Sequence, residues 1–206
     1  MDKTKFDITV QTLFDVGVNK KNLDKSIEYK SNFKRFLGGY THIFKFFTPK
    51  LLYKMLIKDY YDIVVSYLEG PTARIISGCG DRKTKLVSWI HIEQHTVEHA
   101  ARTFRNVREA IECYKSFDCT VCVADTVKSD FMNMFSLANP VKVLYNTNET
   151  NQILKLAQQP IQDLVLKSDT INICSVAKIT KVKGFDRLAR IHKKLLDDNI
   201  KNHVYI

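Results

Sequence analysis

Residues 171–188 have the sequence INICSVAKITKVKGFDRL, which carries the clearest structural signal in the chain. An apolar, β-branched run comes first, and a short basic loop follows it. A helical pattern then places Leu188, Ile191 and Leu195 on one side, so the stretch predicts a strand, a turn and a helix. Free backbone N–H groups and the positive end of the helix dipole collect at such a turn, which is therefore suited to bind an anionic group.

The loop within this stretch resembles a loop of the family-four glycosyltransferases, which have the GT-B fold. In that family the loop reads Gly-Arg-Leu-x-x-x-Lys-Gly, and its Arg and Lys hold the diphosphate of a sugar nucleotide. The resemblance implies that Lys178, Lys183 and Gly184 bind the diphosphate of the donor. Lys178 keeps the charge of the family's Arg but not its planar fork, and Ala177 stands in place of the first Gly. The alternative is an ordinary strand-to-helix loop with solvated lysines.

Apolar strand-like runs alternate with helical segments along the chain, which predicts an α/β protein with a Rossmann-like parallel sheet and flanking helices. Besides the strand at residue 171, the predicted strands span residues 6–13, 62–68, 85–91, 119–124, 141–145 and 203–206. The resemblance implies an incomplete GT-B fold. Residues 1–165 would form an acceptor-side domain without its first strand, and residues 166–206 the truncated start of the nucleotide-sugar-binding domain. The alternative is a divergent protein that begins at Met1.

The length and composition are those of a globular protein, with 206 residues of which 45% are hydrophobic. Its five cysteines are an odd number, which favours reduced thiols in a cytoplasm. The formal net charge of +10 predicts an anionic partner, and anionic lipid, nucleic acid and phosphorylated substrates all fit that charge. We therefore expect a cytoplasmic protein that can attach peripherally to a membrane.

Lysines and aromatic residues are interleaved between Lys20 and Lys58. Such a pattern is typical of a face that lies on an anionic membrane surface. The alternative is that the aromatic residues belong to the core and the lysines are solvated, as in most stripes of this kind.

The segment Ser88-Trp89-Ile90-His91 is similar to a Trp-x-His segment that lines the cleft in the same family, where the His helps to place the transferred sugar. His91 follows a predicted strand at the carboxyl edge of the sheet, where open α/β sheets bind ligands. The resemblance implies a catalytic role for His91 and a cleft-lining role for Glu69, Gly70 and Asn146. The alternative for His91 is a histidine satisfied in the core.

Two other residue patterns resemble motifs that bind a metal or carry out redox chemistry. A zinc protease needs His-Glu-x-x-His on a helix, whereas Glu93 falls one place late between His91 and His95, so we expect no metal. Cys119 and Cys122 have the spacing of a redox pair, but they lie inside a predicted strand and point to opposite faces. We therefore predict a structural role for both cysteines.

The resemblance implies a retaining, hexosyl-type glycosyltransferase of polysaccharide or glycan biosynthesis. It would move a sugar from a nucleotide-sugar donor to a saccharide or lipid-linked acceptor, without a metal. The family's donor site also has a glycine-rich turn and a Glu-x7-Glu motif, both expected beyond Ile206, so this chain is expected to be inactive alone. The alternative is a non-enzymatic basic α/β module that binds nucleic acid or an anionic membrane surface. Because the chain has no RNA-binding motif, we do not expect a nucleic-acid partner.

Overall fold

The computed structural model describes residues 2, 4–162 and 164–206 and contains two compact units, Met1–Thr147 and Asn148–Ile206. The sequence predicts a boundary near residue 165, whereas the two units divide after Thr147. The residues from Asn148 onward therefore group with the second unit.

The first unit holds two parallel sheets. The smaller sheet pairs β1 (Thr9–Phe14) with β2 (Glu28–Phe33), and the larger has the order β3 (Ile63–Ser66), β4 (Lys85–Ile90), β5 (Cys119–Cys122) and β6 (Val141–Val143). The helices of this unit are α1 (Tyr40–Phe44), α2 (Pro49–Leu56), α3 (Pro71–Ile76), α4 (Val97–Ala100), α5 (Val107–Lys115) and α6 (Asp125–Met134). The prediction of an α/β protein with parallel sheets and flanking helices is confirmed.

The four-stranded sheet has one face covered by helices. Along β4, Leu86, Ser88 and Ile90 are buried, whereas Lys85, Val87 and Trp89 on the alternate positions are not. Leu86 and Ile90 belong to one hydrophobic core together with buried side chains from α2, α3, α5 and α6: Leu52, Leu56, Ala73, Ile75, Ala110, Tyr114, Val127 and Phe131. The core therefore lies on one side of this sheet and fixes the positions of its strand ends.

Strand β2 was missed by the sequence prediction, which contains no strand between residues 14 and 61. Its sequence, EYKSNF, does not alternate between apolar and polar residues. Its polar side chains make specific hydrogen bonds instead of packing in a core. The side-chain amides of Gln11 on β1 and Asn32 on β2 both donate to the carbonyl oxygen of Leu56, at 2.8 and 2.7 Å. These bonds attach the two-stranded sheet to the end of α2.

Helix α2 packs closely on the end of α3. A Cβ atom at Gly78 would stand 2.0 Å from the carbonyl oxygen of Pro49, so only glycine fits there. Thr48 caps α2 by accepting a hydrogen bond from the backbone N–H of Leu51 at 3.2 Å, which fixes where the helix begins.

The second unit is built around a βαβ motif. Its elements are α7 (Thr150–Ala157), β7 (Ile171–Cys174), a 3-10 turn (Lys181–Lys183), α8 (Phe185–Asp197) and β8 (Asn202–Tyr205). Strands β7 and β8 pair in parallel, with Ile171 opposite Asn202 and Cys174 opposite Tyr205. The predicted strand, basic loop and helix after residue 171 are therefore confirmed. The longest described helix, α8, has 13 residues, and none of the described helices could cross a bilayer.

Candidate functional site

The carboxyl ends of β3 and β4 bring two of the predicted site residues together. The strands are parallel neighbours with Ser66 opposite Ser88, so the residues that follow them share one edge of the sheet. The Glu69 carboxylate accepts a hydrogen bond from the backbone N–H of His91 at 3.1 Å. Glu69 therefore holds the main chain of His91 at the end of β4.

Gly70 occupies a position that needs glycine. Its φ angle is 76°, in the region that side chains disfavour, and it precedes Pro71 at the start of α3. A Cβ atom at Gly70 would also lie 3.0 Å from Oγ1 of Thr103. Its role in the described unit is therefore to let the chain turn sharply between Glu69 and α3.

An aromatic cluster consists of Tyr67, Trp89 and His91. The ring of His91 lies edge-on to Tyr67 at 4.8 Å and is stacked with Trp89 at 6.4 Å between ring centroids. Nε2 of His91 and Nε1 of Trp89 are both buried, and neither has a hydrogen-bond partner among the described residues. Buried polar atoms are normally paired, so the two nitrogens are exceptions within the described unit. A ligand could bond them only if the side chains that cover them moved, and the role predicted for His91 stays a prediction.

Sequence reasoning missed Tyr67, which was placed in a strand without a role. The available signal was strand alternation, because Tyr67 lies two positions after Val65 on the face that also carries Trp89 of the neighbouring strand.

Asn146 is exposed in the loop after β6, and β5 lies between β6 and β4. Asn146 therefore follows a strand that lies two positions from β4 in the sheet, about 10 Å away at the usual strand spacing.

Residues 91–96, after the end of β4, are not helical, and α4 begins at Val97. The Asp130 carboxylate on α6 accepts hydrogen bonds from the backbone N–H groups of Gln94, at 2.7 Å, and His95, at 3.1 Å. His95 has a positive φ of 64°, so it turns the chain into an exposed loop. Within the described ranges, no group of three or more His, Cys, Asp and Glu side chains is arranged to hold a metal ion.

The cysteine pair lies in β5, as predicted from sequence. Cys119 and Cys122 are its first and last residues, and all five cysteines are free thiols. Burial raises the pKa of the Cys122 thiol to about 11, so this thiol stays protonated at neutral pH. These observations support the structural role predicted for the pair.

The second unit contains what we call the lysine loop, residues 175–184, between β7 and α8. Lys178, Lys181 and Lys183 are all exposed, and Gly184 has a left-handed φ of 70° at the start of α8. No described side chain caps the first turn of this helix. The predicted diphosphate-binding residues are thus brought to one uncapped helix N-terminus.

Arg187 is a residue of this region that sequence reasoning did not single out. Its guanidinium lies over Gly184, with Nε and Nη2 each 2.8 Å from the point that a Cβ atom would occupy. The acid of the same helical turn, Asp186, is paired with Arg190 at 2.6 Å. The sequence feature that could have identified Arg187 is its position three residues after Gly184, at the start of a predicted helix. Its position adds an arginine to the lysines near the helix N-terminus.

The predicted site residues therefore form two groups, one in each compact unit. Glu69, Gly70 and His91 lie at the edge of the four-stranded sheet, and Lys178, Lys183 and Gly184 lie in the lysine loop. The chain matches no protein-family model, and no curated protein sequence is significantly similar to it.

Proposed function

We propose that this chain takes part in retaining glycosyl transfer from a nucleotide sugar to a saccharide or lipid-linked acceptor, in polysaccharide or glycan biosynthesis. The observation that supports it is the lysine loop, where a strand, exposed lysines, a left-handed glycine and an uncapped 13-residue helix follow one another. In this proposal the two units are Rossmann-like domains of a GT-B protein, and the donor diphosphate binds at the N-terminus of α8.

The chemistry of the lysine loop suits a diphosphate. Unpaired backbone N–H groups at a helix start attract anionic oxygen atoms, and the helix dipole adds to that attraction. The guanidinium of Arg187 lies over Gly184, so an approaching phosphate meets this cation at the helix start. Asp186 is paired with Arg190, so the positive charges of Lys178, Lys183 and Arg187 are not neutralised by it. Each of these features favours an anion over a neutral ligand.

In this mechanism the bond between the anomeric carbon of the sugar and the terminal phosphate oxygen breaks, and its electron pair stays on the leaving nucleoside diphosphate. The acceptor hydroxyl oxygen bonds to the anomeric carbon on the same face, and its proton passes to the departing phosphate oxygen. Lys178 and Lys183 stabilise the charge that grows on the diphosphate as the bond breaks. Interactions that strengthen as this charge grows accelerate the chemical step itself.

The aromatic cluster of Tyr67, Trp89 and His91 supplies the sugar-binding part of the proposal. A sugar ring has apolar C–H faces that pack on aromatic rings and hydroxyl groups that hydrogen-bond at its edges. In this proposal the cluster opens to the sugar, and the unpaired Nε1 of Trp89 and Nε2 of His91, which are buried in the free chain, then bond its hydroxyl groups.

Nuclear magnetic resonance tests the proposal through the backbone amides of the chain. UDP is titrated into the isotopically labelled protein, and uridine serves as the matched ligand without phosphate. We expect UDP to shift the amide resonances of residues 183–187, and uridine to leave them unchanged. Equal shifts with both ligands, or UDP shifts confined to other residues, would contradict a diphosphate site in the lysine loop.

A further inference from the structure

Two arginines hold the turn between α1 and α2 in one conformation. Arg74 and Arg105 donate hydrogen bonds to the four consecutive carbonyl groups of residues 44–47. The distances are 2.8 Å to Phe44 and 2.7 Å to Phe47 from Arg74, and 2.8 Å to Lys45 and 3.5 Å to Phe46 from Arg105. Because every carbonyl of the turn is bound to a guanidinium, the turn is fixed to α3 and to the start of α5.

The arginines are themselves fixed by one carboxylate. Glu109 accepts from Nε of Arg74 at 2.8 Å and from the backbone N–H of Arg105 at 2.7 Å. Only 1% of the Arg74 side chain is exposed, so water does not compete with these partners for its N–H groups. The turn is thus held by the core of the first unit rather than by surface contacts.

This rigid turn presents a nearly bare aromatic ring. Phe46 is 82% exposed, and Phe36, Leu37 and Ile43 close to it in sequence are also exposed. Phe36 rests on Phe14 and Tyr40, with ring centroids 5.2 and 6.3 Å away. The exposed apolar side chains therefore stand on an ordered base.

The same segment is strongly cationic. Residues 29–58 contain seven lysines and arginines and no aspartate or glutamate. Lys30 pairs with Glu28 and Asp59, whereas the remaining six cations have no acidic partner among residues 2, 4–162 and 164–206. An acidic partner would therefore meet uncompensated positive charge around the exposed rings.

We propose that this region, which we call the Phe46 surface (Phe36, Leu37, Ile43 and Phe46 with Lys34, Arg35, Lys45 and Lys50), docks on an anionic phospholipid membrane. Aromatic and aliphatic side chains enter the boundary between headgroups and acyl chains, and lysines and arginines meet the anionic headgroups. The turn is ordered before docking, so little conformational entropy is lost on binding. This inference rests on the first unit alone and does not depend on the proposed glycosyl transfer.

Vesicle flotation tests the inference with phosphatidylcholine vesicles and with vesicles that also contain phosphatidylserine. We expect binding to the anionic vesicles, weakened by salt, and little binding to the neutral ones. Phe46→Ser should weaken binding about tenfold, because a buried phenyl ring is lost from the membrane. Lys45→Gln/Lys50→Gln should weaken it about fivefold for each cation removed.

Matched variants on other elements of the same unit distinguish binding through the Phe46 surface from non-specific adsorption of the protein to vesicles. Met132→Ser removes an exposed apolar side chain of α6, and Lys83→Gln/Lys142→Gln removes two exposed charges, so both should bind like the unchanged protein. Phe46→Trp should show a blue shift of fluorescence on anionic vesicles that the unchanged protein, with Trp89 alone, lacks. No binding to either vesicle, equal binding to both, or equal losses in the control variants would overturn the proposal.

Discussion

Arg74 and Glu109 form a two-point ion pair in the core of the first unit, with Nε–Oε2 and Nη2–Oε1 distances of 2.8 and 3.1 Å. The pair joins α3 to α5, and the remaining Arg74 donors bind the turn before α2. A buried charge that loses its partner is far more costly than an exposed one. This ion pair and the other bonds of Arg74 therefore connect α3, α5 and the turn before α2.

Glu109→Ala is expected to lower the free energy of unfolding by about 3–5 kcal/mol, because it leaves the buried guanidinium of Arg74 without its carboxylate. Glu112→Ala on the same helix is the matched control. Glu112 pairs with Lys115 on the surface, so its loss should cost less than about 1 kcal/mol. Urea unfolding of the two variants measures the difference, and similar costs would show that the pair has no special role.

The pH dependence of stability should reflect Glu109. Burial raises the pKa of its carboxyl, but hydrogen bonds from Arg74 and Arg105 outweigh burial and lower the pKa below the usual 4.5. A pKa that is lower in the folded state stabilises the fold above pH 4.5, and this contribution is lost as the pH falls. The stability gap between the unchanged protein and Glu109→Gln should therefore narrow from about pH 5 to about pH 3. A gap that is constant over this range would contradict the assignment.

Gly78→Ala should strongly destabilise the first unit. The added methyl group would overlap the backbone at Pro49, which cannot move without shifting α2. We expect a loss of more than about 2 kcal/mol in the free energy of unfolding. Gly80→Ala is the control, because a Cβ atom there meets nothing within 4 Å and the change should be neutral or slightly stabilising. Thermal unfolding of both variants compares the two positions.

Trp89→Phe should cost less than about 1 kcal/mol, because the loss of a buried indole N–H without a partner offsets part of the packing lost with the smaller ring. Ser88→Ala on the opposite face of the same strand removes a buried hydrogen bond to Thr120, of length 2.8 Å, and should cost about 1–2 kcal/mol. Denaturant unfolding distinguishes the two outcomes. A cost for Trp89→Phe as large as that for Ser88→Ala would contradict this expectation.

Lys183→Ala should weaken UDP binding about tenfold or more, since a charge-assisted hydrogen bond to phosphate is worth about 1.5–3 kcal/mol. The proposed spacing leaves Lys181 in solvent, so Lys181→Ala should change the affinity less than about twofold, through a screened field effect. Isothermal titration calorimetry measures both affinities. In an active transferase the loss at Lys183 should appear in kcat as well as KM. Equal and mild losses at the two positions would favour solvated lysines.

The predictable parts of this fold have strong local patterns. The βαβ motif after Ile171 combines β-branched residues, a basic loop and a 3.6-residue period, and the structure forms it as predicted. Strand β2 could not be found this way, because its stability comes from pairing with β1 and from the amide of Asn32 on the distant Leu56. Arg187 was missed for a similar reason, since only the folded helix turn brings its guanidinium back over Gly184.

The order of the four-stranded sheet also sets how fast its amide protons can exchange with water. Strands β4 and β5 have a hydrogen-bonded neighbour on each side, whereas β3 and β6 have one neighbour each among the described strands. Edge strands open by local fluctuations, but central strands exchange only when a larger part of the unit opens. Ser88 and Thr120 should therefore report the slowest exchange in the first unit, and Val64 and Lys142 a faster one. Glu69 follows the edge strand β3, whose amide protons should exchange fast, and His91 follows the central strand β4, whose amide protons should exchange slowly. His91 is therefore attached to the strand that opens less often.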